Sequence, residues 1–186
     1  AYLGLDLNWR IWKVLLYGQY GRNPYSKSSD VGQIGIRYWP FKSPNYLIHL
    51  EYNHTSSNAY KSSNPRINYS NFNLPIGHPM GAGVDEVILR LRAEWKHLFI
   101  SSSTNFYLSQ SDNYRQLLPV YEPTSGSNQQ VFYENLELGY NFNHGYGLEI
   151  FGSAKLRLVH NPLQNGQSAW FNVGIRTALN NHYFDF

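Results

Sequence analysis

Val87-Ile88-Leu89-Arg90-Leu91-Arg92-Ala93-Glu94-Trp95 can be read in only one way that separates its apolar and charged side chains. Drawn out as a strand, it puts Val87, Leu89, Leu91, Ala93 and Trp95 on one face and Arg90, Arg92 and Glu94 on the other. Wound as a helix, the same residues would mix charge and hydrocarbon all round. The same alternation recurs outward from it. Tyr46, Ile48, Leu50 and Tyr52 oppose His49 and Glu51. Tyr146, Leu148, Ile150, Gly152, Ala154, Leu156 and Leu158 oppose Glu149, Phe151, Ser153, Lys155 and Arg157, and Ala169, Phe171, Val173, Ile175 and Leu179 oppose Trp170, Asn172 and Arg176.

About nine such segments are predicted, over Ala1 to Trp9, Trp12 to Tyr20, Val31 to Trp39, Tyr46 to Ser56, Asp85 to Trp95, Leu98 to Gln110, Val131 to Asn141, Tyr146 to His160 and Gln167 to Leu179. Most exceed the ~5–6 residues of ordinary soluble strands and suit a tilted crossing of a bilayer. Their connections sort by length. Arg10-Ile11, Pro40 to Asn45, Lys96-His97 and Phe142 to Gly145 are short, whereas Gly21 to Asp30, Ser57 to Val84, Ser111 to Gln130 and Asn161 to Asn165 are longer. Short turns at one end and long loops at the other are the habit of outer-membrane barrels. The expected fold is therefore all-β, an antiparallel transmembrane β-barrel, with residues 1–186 forming a single barrel region. A β-sandwich or a sheet with one solvated face is the soluble rival.

Composition fits that expectation. The chain has 186 residues, 17% of them aromatic and only 15% charged, and its mean hydropathy is −0.47. Many rings on a polar average are what strands produce when apolar outward residues alternate with polar inward ones. No apolar run is long enough for a transmembrane helix. The absence of Cys removes disulfides, thiol catalysis and Cys-held zinc. A net charge of +3 with scattered Lys and Arg argues against a nucleic-acid partner. The Asn53-His54-Thr55 and Asn68-Tyr69-Ser70 sequons are at the level expected by chance in a chain rich in Asn and Ser.

The strand charges Asp6, Arg37, His49, Glu51, Arg90, Arg92, Glu94, Glu137, Glu149, Lys155, Arg157 and Arg176 all fall on the face assigned to the lumen. A cation on the lipid face would cost ~2–4 kcal/mol at midplane. Arg90, Arg92, Glu94, Glu137, Glu149, Lys155, Arg157 and Arg176 are expected to form a lumenal charge network that stiffens and plugs the barrel, or, in an open lumen, biases which solutes pass. With Phe186 periplasmic, nine strands counted backwards put Ala1 at the extracellular end. This predicts further strands that close the sheet, since bacterial single-chain barrels have even strand numbers; with eight or ten strands the chain would instead close alone as a small barrel.

Two stretches resemble a known family. Asn68-Tyr69-Ser70-Asn71-Phe72-Asn73-Leu74-Pro75-Ile76-Gly77-His78-Pro79-Met80-Gly81-Ala82-Gly83-Val84-Asp85-Glu86 and Gly174-Ile175-Arg176-Thr177-Ala178-Leu179-Asn180-Asn181-His182-Tyr183-Phe184-Asp185-Phe186 resemble segments of the capsule-assembly Wzi-like family, especially its RemB-type gliding-motility-associated members. Met80, Gly83 and Val84 depart from the family's form. The resemblance implies an outer-membrane barrel of about 18 strands, of which this chain would be the C-terminal half. It also implies a role in anchoring exported surface polysaccharide, in capsule or exopolysaccharide assembly or in gliding and adhesion. The His78 segment would pack inward as a plug element.

No catalytic constellation stands out: Gly-x-Ser-x-Gly, His-Glu-x-x-His and a P-loop are all missing. The dispersed His residues suggest no metal site, and no cofactor is expected. Tyr60, Tyr69, Asn71, Phe72 and His78 in the long loop, with Tyr114, Arg115 and Tyr121 in the next, combine flat rings with amide and charged groups and form the candidate ligand surface. The expected partners are membrane lipid and lipopolysaccharide, surface polysaccharide and other outer-membrane or lipoprotein subunits. A porin-like channel and a scaffold subunit of an envelope secretion or motility complex are the alternatives to polysaccharide binding.

Overall fold

A computed structural model describes residues 3–26, 29–41, 45–59, 70–71, 74–75, 78, 81–109, 129–143, 147–161 and 164–177. Its strands are β1 (Leu3–Ile11), β2 (Val14–Arg22), β3 (Asp30–Tyr38), β4 (Asn45–Thr55), β5 (Ser70–Asn71), β6 (Leu74–Pro75), β7 (Val84–Trp95), β8 (Leu98–Ser109), β9 (Gln129–Asn143), β10 (Leu148–Asn161) and β11 (Gln164–Arg176). All but β5 and β6 form one 9-stranded antiparallel sheet in the order β1-β2-β3-β4-β7-β8-β9-β10-β11, each strand beside its neighbour in sequence. Among the described residues β1 and β11 have one neighbour each, so the sheet is open.

The pairing register keeps the two faces apart across every strand. Leu16, Ile36, Leu50 and Leu89 follow one another directly opposite on successive strands, as do Leu15, Arg37, His49 and Arg90 on the other face. Burial is inverted relative to a water-soluble sheet. Leu138, Ile34 and Val173 are 60%, 64% and 84% exposed, while His49, Glu149 and Glu137 are 3%, 8% and 9% exposed. The polar face is also concave. Arg92 on β7 reaches Glu149 on β10 at 3.7 Å, although three strand spacings separate them by about 14 Å along a flat sheet. A small apolar cluster of Val84, Tyr107 and Val131, with Val159 against it, lies on this concave side near the loop ends.

Glycines let rings lie flat across that face. Tyr17 stands opposite Gly35, Phe99 opposite Gly139 and Phe151 opposite Gly174. A Cβ on Gly35 would come within 2.3 Å of the Tyr17 ring, one on Gly139 within 2.4 Å of Phe99, and one on Gly174 within 2.9 Å of Phe151. Tyr17 thereby crosses β3 and meets His49 on β4, Oη to Nε2, at 2.6 Å.

Three sequence expectations need correction. The first hairpin turns at Trp12-Lys13 rather than Arg10-Ile11, with Trp12 at φ 51. Neither residue carries the Asn-Gly or Asp-Gly signal of a two-residue turn, and the alternation runs on through Ile11. The connection placed at Asn161 to Asn165 is tighter, because β11 begins at Gln164. Not every loop-end connection is therefore long. Inside the long loop, Ser70-Asn71 and Leu74-Pro75 pair as a short ladder that periodicity could not reveal over two residues. The C-terminal residues that contribute to the family resemblance, 178–186, lie outside the described residues.

Candidate functional site on the concave face

The concave groups form two bonded clusters separated by a row of cations. Toward the turns, Arg176 donates from Nε to Glu149 at 2.7 Å and pairs through Nη2 with Glu137 at 2.8 Å and Glu149 at 2.6 Å. Arg92 donates from Nε to Glu94 at 2.8 Å. Phe99 is shared between the guanidinium groups of Arg92 and Arg176, at 4.9 and 5.4 Å from its centroid, and Arg176 lies 4.7 Å from Phe151 as well. Rings and carboxylates together fix both arginines in one geometry.

Toward the loops, Tyr17 donates to Glu51, which also accepts Asn53 Nδ2 at 2.9 Å. Glu86 accepts Asn53 at 3.1 Å and Asn105 at 3.2 Å and holds His78 Nε2 at 3.0 Å. The side chains of His78 and Glu86 are 10% and 12% exposed, so His78 faces the concave wall. The chain returns from it through two left-handed glycines, Gly81 at φ 81 and Gly83 at φ 74. Thr55 Oγ1 donates to the Gly81 carbonyl at 3.1 Å, and the Gly83 amide donates to the Ser56 carbonyl at 3.1 Å. Together these tie the end of the long loop to the rim of β4.

This tie gives a direct expectation. Glu86→Leu removes the acceptor that holds His78 and leaves the Asn53 and Asn105 amides short of a partner. Limited proteolysis should then cut between residues 57 and 83 several times faster, while the sheet keeps its circular-dichroism signal. An unchanged cutting rate would show that His78 is not what anchors this segment.

Of the residues singled out in the sequence, the structure brings together Arg92, Glu94, Glu137, Glu149 and Arg176. Arg90, Lys155 and Arg157 share their face, but among the described residues no carboxylate lies within ion-pair distance of them. His78 joins the loop-side cluster. Asn71 is placed only through its strand pairing with Leu74. Tyr60, Tyr69, Phe72, Tyr114, Arg115 and Tyr121 lie outside the described residues.

Sequence reasoning did not foresee the parts played by Tyr17, Asn53 and Glu86, whose meeting depends on Gly35 and on the exact register. Nor did it single out Glu134, which sits on the outward apolar face between Thr104 and Leu156. Its carboxylate accepts Ser102 Oγ at 2.7 Å and also Thr104 Oγ1. Ser102 and Thr104 interrupt the apolar face of β8, which was the available signal.

Among the described residues no group of three or more His, Asp or Glu side chains is placed to hold a metal ion. Among the described residues no helix is long and apolar enough to cross a membrane. Compared with known proteins, the chain matches no family model, no curated protein and no solved structure.

Proposed function

We propose that the chain forms part of an outer-membrane β-barrel of the Wzi-like type that anchors surface polysaccharide and carries no enzymatic activity. The observation that carries this reading is the inverted sheet, with leucines, isoleucines and valines exposed on one face and bonded charges buried on the other. Water is a poor solvent for such an outward face, and a bilayer is a good one.

Two aromatic zones bracket that face. Toward the turns lie Trp9, Trp12, Tyr38, Tyr46, Trp95 and Tyr140. Toward the loops, Tyr52 donates to Asp85 at 2.6 Å, His54 Nδ1 meets the same carboxylate at 2.7 Å, and Tyr20 donates to Asp30. Tyr46 and Tyr52 on β4 stand about 20 Å apart along the strand, about 15 Å of membrane height at a tilt of about 40°, which fits inside a lipid-facing band. Rings with hydroxyls turned to polar partners suit the bilayer interfaces.

Strand parity supports a larger closed barrel. An odd number of up-and-down strands leaves β1 and β11 running in the same direction. Antiparallel closure therefore needs an odd number of additional strands, and nine would give the 18 that the family resemblance implies.

Leu138→Arg puts a cation on the exposed apolar face of β9 and should cost about 2–4 kcal/mol of stability in lipid. Asn172→Arg, at an exposed position of the concave face, should cost far less. Refolding into vesicles and urea titration would separate the two, and equal tolerance of both would sink the membrane reading. Polysaccharide anchoring is tested by retention of purified surface polysaccharide on protein-loaded vesicles, with empty vesicles as the blank. A second reading, a diffusion channel, is favoured by the cations of the concave face that have no ion-pair partner among the described residues, and conductance in planar bilayers would support it.

A further inference from the structure

The row between the two bonded clusters has a composition of its own. Following the pairing from strand to strand, Arg10 stands opposite Leu15, Leu15 opposite Arg37, Arg37 opposite His49, and His49 opposite Arg90. The row continues through Ser103 and Asn135 to Lys155. It contains no carboxylate. Among the described residues no Asp or Glu lies within ion-pair distance of Arg10, Arg37, Arg90 or Lys155. The acidic groups of this face have other partners: Glu94, Glu137 and Glu149 meet Arg92 and Arg176, Glu86 meets Asn53, Asn105 and His78, Asp6 meets Gln19 at 2.7 Å, and Glu51 meets Tyr17, Asn53 and, at 3.4 Å, His49 of the row itself.

The cations are held apart and accessible. Arg10 and Arg90 are exposed and Arg37 and Lys155 partly so. Arg37 rests on the Tyr17 ring at 5.3 Å and Arg10 on Trp39 at 6.0 Å, contacts that steady each stem. Arg37 and Arg90 flank buried His49 on its two neighbouring strands, about 9–10 Å apart. Arg10 lies beside the first turn and Lys155 midway along β10, so the row climbs obliquely over the concave wall. Cations lined up along a concavity in a row that contains no carboxylate raise the local concentration of anions.

We propose that Arg10, Arg37, Arg90 and Lys155 form an anion-binding strip that takes the carboxylate groups of an acidic polysaccharide. This rests on the polysaccharide reading above and names its substrate class: a polymer carrying repeated negative charges, engaged on the concave wall in addition to the loops. Carboxylates match guanidinium forks in pairs, and the spread of the cations over several strands favours a chain of charges over a single small ion.

The test uses the refolded chain in detergent micelles and three probes: an oligogalacturonate, a neutral dextran oligosaccharide of similar length, and inorganic sulfate. Calorimetry should show oligogalacturonate binding that weakens roughly tenfold or more in Arg37→Gln/Arg90→Gln and also weakens as salt rises. Arg37→Lys/Arg90→Lys should retain most of it. Removing two like charges beside His49 leaves no carboxylate unpaired, so the urea midpoint should hold and mark the variant as folded. Dextran binding that survives Arg37→Gln/Arg90→Gln, alongside unchanged oligogalacturonate binding, overturns the strip and leaves the polysaccharide reading standing. Sulfate that binds as tightly as oligogalacturonate, site for site, and is lost in the same variant overturns the polymer assignment and removes the strip's support for polysaccharide. Preference for oligogalacturonate over both other probes, lost in the Gln variant, bears out the proposal.

Discussion

Gly139→Val is expected to lower the stability of the refolded protein by about 3 kcal/mol, the upper end of what overpacking costs. The new side chain would begin 2.4 Å from the Phe99 ring and 2.6 Å from the Ile150 carbonyl oxygen. The ring has little freedom to retreat, since Arg92 and Arg176 both lie against it, and the carbonyl belongs to the neighbouring strand. The adjacent strands must therefore separate or the ring must leave. Urea midpoints measure the loss. Phe99→Leu in the same background relieves the ring overlap but not the carbonyl one, so a double-mutant cycle should show coupling of about 1 kcal/mol or more. Additive losses would mean that the ring and the glycine do not depend on each other.

Arg176→Met is the second large effect. It leaves Glu137 and Glu149, both nearly buried, without their main counter-charge. Breaking a fully buried pair costs about 3–5 kcal/mol. The Arg176 side chain is 40% exposed, so about 2–3 kcal/mol is expected after that discount. Glu149 keeps Arg92 at 3.7 Å and Glu137 has no second cation among the described residues, so Glu137→Gln should restore more of the lost stability than Glu149→Gln. The reverse order in urea titrations would show that the charge of Arg92 does not reach Glu149.

The alternation from Val87 to Trp95 made strand, faces and antiparallel order legible without coordinates, because a period of two admits one separation of charge from hydrocarbon. Turns were less legible where their residues carry no conformational signature, as at Trp12-Lys13. Which charges pair was not legible at all. The sequence places Arg90, Arg92, Lys155, Arg157 and Arg176 on one face alike, yet among the described residues only Arg92 and Arg176 of these meet carboxylates. The difference comes from register, which fixes Glu149 opposite Arg176 and His49 opposite Arg90. Register depends on partners far along the chain. The contribution of Tyr17 was hidden for the same reason, since its reach to β4 requires a glycine opposite it on β3.

The ring-over-glycine contacts bear on how such a sheet assembles without error. Alternating faces forbid a slip of one residue between strands but are blind to a slip of two, which returns every side chain to its proper side. Moved by two, Tyr17 would confront Gln33 or Arg37 in place of Gly35, Phe99 would confront Glu137 or Asn141 in place of Gly139, and Phe151 would confront Asn172 or Arg176 in place of Gly174. Each ring would then strike a side chain where it now lies over a glycine. These glycines act as an index mark that the binary pattern lacks, distributed at both ends of the sheet and near its middle. A chain threading its strands one after another can thus recognise a misalignment while only two of them are paired.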